Sequence, residues 1–352
     1  MSLLHLKRDR VTFRLERPPV SGRVRPRLLL VSVVLAVLAF VLFCVGMTIG
    51  DVPMTVSDVL SGLFGSSDSG NGYIVQELRL PRALTGLLAG LAFGASGAVF
   101  QTITRNPLAS PDMIGINAGA ATAVVAGISF GFGGGLGTTT LGLLGGLLTA
   151  LLVYALAWRR GTTGYRILLV GIGIFAMCTS LTDYLLSRAQ ITDAQASIGW
   201  LVGNLANRGW EHVVPLSAAL VVLFPVVLAL SRWMQTLLLG DDVAAGLGTP
   251  VQPVRLGLLL AGAGLVAFAT ASAGPISFVA LTAPQIAQRL ARLSSPPITA
   301  SALTGAVVVL GSDIIARSLT ASALPVGIVT GVLGAPLLLW LLARANRSGS
   351  GG

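Results

Sequence analysis

From Leu28 onward, long apolar runs alternate with short breaks of arginine, proline, asparagine and glycine. A helix crossing a bilayer needs roughly 17–25 mostly apolar residues, because lipid offers its backbone no hydrogen-bond partners. On that scale the pattern predicts about ten spans, near 28–50, 82–103, 112–131, 135–158, 165–187, 213–231, 254–273, 275–291, 298–316 and 325–343. They make one transmembrane domain over 28–343, between a basic N-terminal tail, 1–27, and a short C-terminal tail, 344–352. The first run resembles a secretory signal in its basic flank. It is about 20 residues long, lacks a small-x-small cleavage site and is followed by further spans, so it reads as a retained helix.

The stretch from Glu77 to Ala120, ELRLPRALTGLLAGLAFGASGAVFQTITRNPLASPDMIGINAGA, is apolar enough to span yet carries punctuation. Pro81 suits the first turn of helix two, where its missing N–H costs nothing. Arg79 and Arg82 flank it, and cations at a helix start oppose the helix dipole. The small-residue centre predicts close helix packing, as does the glycine–leucine stretch GFGGGLGTTTLGLLGGLL from Gly131. Arg105-Asn106-Pro107 and Ser110-Pro111 predict a turn that ends helix two and starts helix three.

Composition fits an all-α polytopic membrane protein: 54% of the residues are hydrophobic and 10% charged, against about a quarter charged in soluble domains. The net charge of +10 follows a membrane pattern and gives no reason to invoke nucleic acid. With the N-terminus cytoplasmic, eighteen of the 23 basic residues fall inside. Eight are in the tail (Lys7, Arg8, Arg10, Arg14, Arg17, Arg23, Arg25, Arg27), joined by Arg105, Arg159, Arg160, Arg166, Arg232, Arg255, Arg289, Arg292, Arg344 and Arg347. Arg79, Arg82, Arg188, Arg208 and Arg317 fall outside. That bias predicts both termini cytoplasmic and an even number of spans. ALTGLLAGLAFGASG from Ala83 is echoed by ALTGAVVVLGS from Ala302, and LASPDMIGINAGA by SALPVGIVTGVLGA. The echo pairs helices two and three with nine and ten across an odd number of spans, which points to an inverted repeat, expected over helices 2–5 and 7–10. Chance recurrence in a chain rich in alanine, leucine and glycine is the alternative.

Several chemistries lack their residues. The two histidines are His5 in the tail and His212 at a helix entrance, and Cys44 and Cys178 stand alone in apolar runs. Neither a nucleophile motif nor a zinc or haem ligand set is present in the sequence, and no cofactor is expected. The sole lysine is Lys7, so the chain has no phosphate-binding G-x-x-x-x-G-K-[ST] loop and is not expected to be an enzyme. Asp183 and Asp313 are the carboxylates nearest a span, both toward the outer end, which makes weak support for proton coupling. Energy for uphill transport is expected from a partner.

The Glu77–Ala120 stretch, with LLLGDDVAAGLGTPVQPVR from Leu237, AGPISFVALTAPQIAQRL from Ala273 and ALPVGIVTGVLGAPLLLWLL from Ala323, resembles the FecCD-type permeases. These are the membrane subunits of ABC importers for ferric siderophores, haem and cobalamin. The resemblance covers nearly everything after the basic tail. It implies ten helices, a cytoplasmic-membrane location, a second permease that is identical or related, ABC ATPase subunits that use ATP, and an external substrate-binding protein.

By the same resemblance, Leu239, Gly240, Asp241, Asp242, Val243, Gly246, Leu247 and Gly248 would form the ATPase coupling helix. The residues themselves predict a short helix, with acids in its first turn and glycines as stops. Arg79, Arg82 and Arg317 would receive acidic residues of the binding protein, although contact with lipid phosphate or pairing with Glu77 would also explain the two arginines beside Pro81. Thr162, Thr163, Gly164 and Tyr165 lie where relatives place an inner gate. Gly115, Gly119, Gly327, Gly331 and Gly334 are expected to be close-packing positions. Pro284-Gln285 stands where many cobalamin-type members have Pro-His, which favours a ferric siderophore over haem or cobalamin. The basic tail departs from the family and is expected to contact the inner lipid surface. The rival readings are a proton-coupled exporter, needing an intramembrane acid, and a non-transporting receptor or scaffold.

Overall fold

The computed structural model describes residues 5–7, 10–15, 20–50, 52–65, 70–132, 137–158, 161–319 and 324–349. Arg8, Arg17, Arg159 and Arg160 of the charge count, Gly133–Leu136 of the glycine–leucine stretch and Ala323 of the last motif lie outside them. The tail contains β1 (His5–Lys7), β2 (Arg10–Leu15) and β3 (Val20–Val24), paired antiparallel in that order with Val11 opposite Val24. Strands in the tail were not expected from the sequence.

The helices are α1 (Pro26–Thr48), α2 (Val56–Phe64), α3 (Gly70–Tyr73), α4 (Leu80–Thr104), α5 (Ile116–Ser129), α6 (Thr138–Ala157), α7 (Gly164–Arg188), α8 (Ile191–Leu201), α9 (Trp210–Leu237), α10 (Asp241–Gly246), α11 (Val251–Ala273), α12 (Val279–Ala291), α13 (Ile298–Ser318) and α14 (Val326–Gly349). A helix lies at each predicted span, and among the described residues seven are long and apolar enough to cross a membrane. The helices at spans three, eight and ten are α5, α12 and α14; α5 has 14 residues, α12 has 13 and α14 has 24.

Helix two begins earlier than the sequence suggests. Helical backbone runs unbroken from Gly70 to Thr104, with a π-helical stretch over Ile74–Arg79. Pro81 therefore stands inside a helix. It has no N–H for the carbonyl four residues back, and the turn ahead of it widens, with the Leu80 N–H reaching Val75 O. Span three starts later: 111–115 is turn, and α5 opens at Gly115 with φ +88°, where a side chain would meet the Phe175 backbone at 3.0 Å. α12 likewise starts at Val279, after Gly274 (φ +78°) and Phe278 (φ +67°) break the helical path.

The core is built from small residues. Gly86, Gly90 and Gly94 recur every fourth position and so share one face of α4. That face meets α13: a β-carbon at Gly90 would lie 2.5 Å from Ala306 Cα, and one at Gly94 2.1 Å from Ser301 O. Residues later in α4 meet residues earlier in α13, so the two helices run antiparallel. On neighbouring faces α4 meets α12 at Gly97 against Ala280 and α11 at Val99 against Gly262. With no hydrophobic drive between helices in lipid, such close approach and the dispersion it permits hold the bundle together. α1 is the opposite case, with Leu29, Leu30, Val33, Val34, Val37 and Phe40 exposed, as expected of a helix facing lipid.

Two contacts fix the ends of the bundle. Arg27 Nε donates to Leu290 O at 2.8 Å, and the Arg289 guanidinium lies 5.0 Å from the Trp340 ring centroid. The start of α1, the end of α12 and residue 340 of α14 therefore share one end. The end of α1 and the start of α4 lie at the other, joined by Arg79.

Candidate functional site

The end that holds Arg27 also carries the predicted coupling and gate residues. α10 is a six-residue helix between Gly240 (φ +110°) and Gly248 (φ +80°), with Asp241 and Asp242 in its first turn. The two acids differ. Asp242 faces solvent, whereas Asp241 turns inward, accepting from Arg255 Nη2 at 2.7 Å and from Arg105 Nη2. Partial burial alone would raise the Asp241 carboxyl. The hydrogen bond and charge of Arg255, followed by the charge and hydrogen bond of Arg105, outweigh it and hold the group below the usual carboxylate range. Arg105 caps the C-terminus of α4 in the left-handed region (φ +53°) and donates from Nε to Leu237 O at 2.8 Å, so the predicted turn also anchors the end of α9.

The loop ahead of α7 is held from the same side. Gln252 Oε1 accepts from the Thr162 N–H at 3.0 Å and from its hydroxyl at 3.2 Å, while Gln252 Nε2 donates to Thr162 O at 3.2 Å. Arg255 Nη1 donates to the same carbonyl. Gly161, at φ +116°, lets the chain come this close: a β-carbon there would stand 2.9 Å from Gln252 Nε2. Thr163, Gly164 and Tyr165 then face Leu239–Val243, predicted from the sequence to couple, across an open cleft of about 460 Å³, walled also by Arg105. Leu239, Val243 and Leu247 expose apolar side chains at this end.

At the opposite end, Arg79, Arg82 and Arg317 come together. Asp313, with its side chain 4% exposed, pairs through Oδ1 with Arg82 Nη2 and through Oδ2 with Arg317 Nη2, both at 2.8 Å. The α1 C-terminus completes the cluster. Arg79 Nη1 donates to Met47 O at 2.7 Å and Thr48 O at 3.1 Å, and its Nη2 to Val52 O. Arg317 Nη1 donates to Gly46 O at 3.1 Å and Ile49 O at 2.7 Å. The last carbonyls of a helix lack intrahelical partners and carry the negative end of its dipole, so two guanidinium groups suit them. This supplies a structural reason for cations where the sequence pattern disfavours them. Gly46 and Gly50 leave the guanidinium groups room. Arg82 remains the most open of the three, with 18% of its side chain exposed.

Other predicted positions sort by packing. Side chains at Gly119, Gly327 and Gly334 would collide with Thr149, Val202 and Phe278, as expected of close-packing glycines. Gly331 departs from the expectation: nothing lies within 4 Å of a β-carbon there. Gln285 donates to Gln101 Oε1 at 2.6 Å, and Gln101 to Leu281 O at 3.0 Å, tying α12 to α4. Three residues escaped sequence reasoning. Arg255 and Gln252 carried no motif beyond membership of the conspicuous block from Leu237. Asp112, at the turn before α5, accepts from Asn117, which in turn accepts from Thr270 at 2.6 Å; the first link spans five residues and the second 153. Among the described residues there is no His, Cys, Asp and Glu cluster fit to hold a metal ion.

The model of the FecCD transport family matches residues 37–344. The chain is 39% identical over 324 residues to the ferric enterobactin transport system permease protein FepG of Escherichia coli strain K12, covering 91% of this chain and 98% of that one. It is 35% identical over 328 residues to the iron(3+)-hydroxamate import system permease protein FhuG of Bacillus subtilis strain 168, covering 90% and 98%. A solved metal-chelate type ABC transporter in an inward-facing conformation superposes with a TM-score of 0.77 at 27% identity, over 90% of this chain and 99% of that one.

Proposed function

The chain belongs to the FecCD transport family, and from that membership we propose that it is the permease subunit of an ABC importer that carries a ferric siderophore across the cytoplasmic membrane. The observation that carries the proposal is near full-length similarity to permeases named for ferric enterobactin and iron(3+)-hydroxamate. Both termini are cytoplasmic in this arrangement, and the chain pairs with a second permease. It contributes no ATPase chemistry: separate ATPase subunits bind and hydrolyse ATP. They dock on the exposed Leu239, Val243 and Leu247 beside the cleft that faces Thr163–Tyr165. ATP-driven closure of the ATPases moves α10, and the passage opens to one side at a time.

An external binding protein delivers the cargo to the outer end, where Arg82 offers positive charge to acidic residues of the partner. Arg79 and Arg317 contribute to the local potential while their guanidinium groups hold the end of α1. Rim charges of this kind steer docking and fix register more than they add affinity.

The test is reconstitution in liposomes with the cognate ATPase, a second permease and the binding protein. Radioactive-iron-labelled ferric enterobactin and a ferric hydroxamate siderophore serve as probes. ATP-dependent accumulation of either supports the proposal, and accumulation of neither overturns it.

A further inference from the structure

Arg255 is the bulkiest fully buried side chain of the described residues, 1% exposed at the start of α11. A buried cation is tolerated only when paired and hydrogen-bonded. Here its two terminal nitrogens serve different segments: Nη2 meets Asp241 of the coupling helix at 2.7 Å, and Nη1 meets the carbonyl of Thr162 in the loop ahead of α7. Gln252, on the preceding turn of α11, grips the same Thr162 through its backbone N–H, carbonyl and hydroxyl. A guanidinium is planar and rigid, so the spacing between its two partners is fixed.

The backbone does not offer an equally stiff route. α10 is bounded by Gly240 and Gly248, both at positive φ, and at either one a β-carbon would have nothing within 4 Å. Glycine backbone without packed neighbours is a compliant link, so the main chain on either side of α10 is a less direct route to the 161–165 loop than a side-chain bridge, while Arg105 separately ties Asp241 to the end of α9. The side-chain path through Asp241 bypasses these glycines.

We propose that Arg255 is a positioning residue that makes the coupling helix and the 161–165 loop move as one body, so that displacement of α10 by the ATPase reaches the candidate gate directly. The proposal rests on the importer function above. Asp241 is the connecting acid, and Gln252 keeps the loop against Arg255. Lysine would keep the charge but cannot bridge both partners in a fixed fork.

The complete importer, assembled with its ATPase, second permease and binding protein, provides the test. In liposomes, Arg255→Gln and Arg255→Lys should still hydrolyse ATP, while ferric siderophore uptake per ATP falls by at least about tenfold, the scale of one lost charge-assisted hydrogen bond. A merely structural role would lower both together. Spin labels at Thr163→Cys and Ala245→Cys, the latter exposed on α10 and outside the proposed docking residues, with Cys44 and Cys178 replaced by serine, report the coupling directly. The parent should show one narrow separation that does not change when ATP binds, and Arg255→Gln should broaden it. A separation that shifts with ATP in the parent overturns the proposal even if the Arg255 variants fail to assemble. So does parental uptake per ATP in Arg255→Gln. If the parent shows no ATP-driven uptake, the importer function fails as well; if it imports normally and only the Arg255 expectation fails, that function stands.

Discussion

Gly94 lies in a close approach of α4 and α13, and its replacement by alanine tests whether small-residue packing holds the bundle. The new β-carbon would stand 2.1 Å from the Ser301 carbonyl oxygen and 2.9 Å from its carbon, both rigid backbone atoms. No side chain can rotate to make room. The helices must part by roughly 1 Å, and a gap of that size forfeits about a quarter to a half of the dispersion energy of each atom pair it opens. The expected loss is about 1–3 kcal/mol, the usual range for overpacking a well-filled core. Gly173→Ala is the control: it is mid-helix in α7, exposed and with nothing within 4 Å of its β-carbon, so stability should be unchanged or slightly raised. Unfolding in mixed detergent micelles, followed by circular dichroism, measures both. Equal stability of Gly94→Ala and the parent would refute the idea that this crossing is packed to contact.

Three further outcomes are expected. Asp313→Ala removes the carboxylate shared by Arg82 and Arg317 and should cost about 3–5 kcal/mol in the same unfolding assay, whereas Ala at the exposed Asp183 should cost little. Arg82→Gln should weaken binding-protein docking to the solubilised importer by several-fold at low salt, with the difference shrinking as salt screens the pair; a salt-independent loss would point to misfolding instead. Asp241, held below the ordinary carboxylate range, contributes stability that is present above its unfolded value of about 4 and is lost as pH falls through its lower folded value. The stability gap between the parent and Asp241→Asn should therefore be level from about pH 8 to pH 5 and close below about pH 4; a gap that widens on acidification would contradict the assignment.

The sequence by itself determined the helical membrane architecture, because hydrophobicity is a local property that adds along each run. It likewise marked the glycine face of α4, whose four-residue spacing needs no knowledge of what it meets, and the turn at Arg105-Asn106-Pro107. Tertiary structure decided what the polar residues do. Asp241 and Asp242 are indistinguishable as neighbours in a first turn, yet one is locked inward by Arg255 and the other faces solvent. Pro81 looked like a helix start until the π-helical stretch carried the helix through it. Gly331 stands open while Gly327 and Gly334 are in contact, a difference that depends on neighbours far along the chain. Arg79 and Arg317 both reach carbonyls at the end of α1, contacts that no local motif encodes, although Arg317 also pairs with Asp313 one turn back on its own helix. Apolar burial in lipid is set residue by residue, whereas a hydrogen bond is set by which two distant segments the fold brings within about 3 Å.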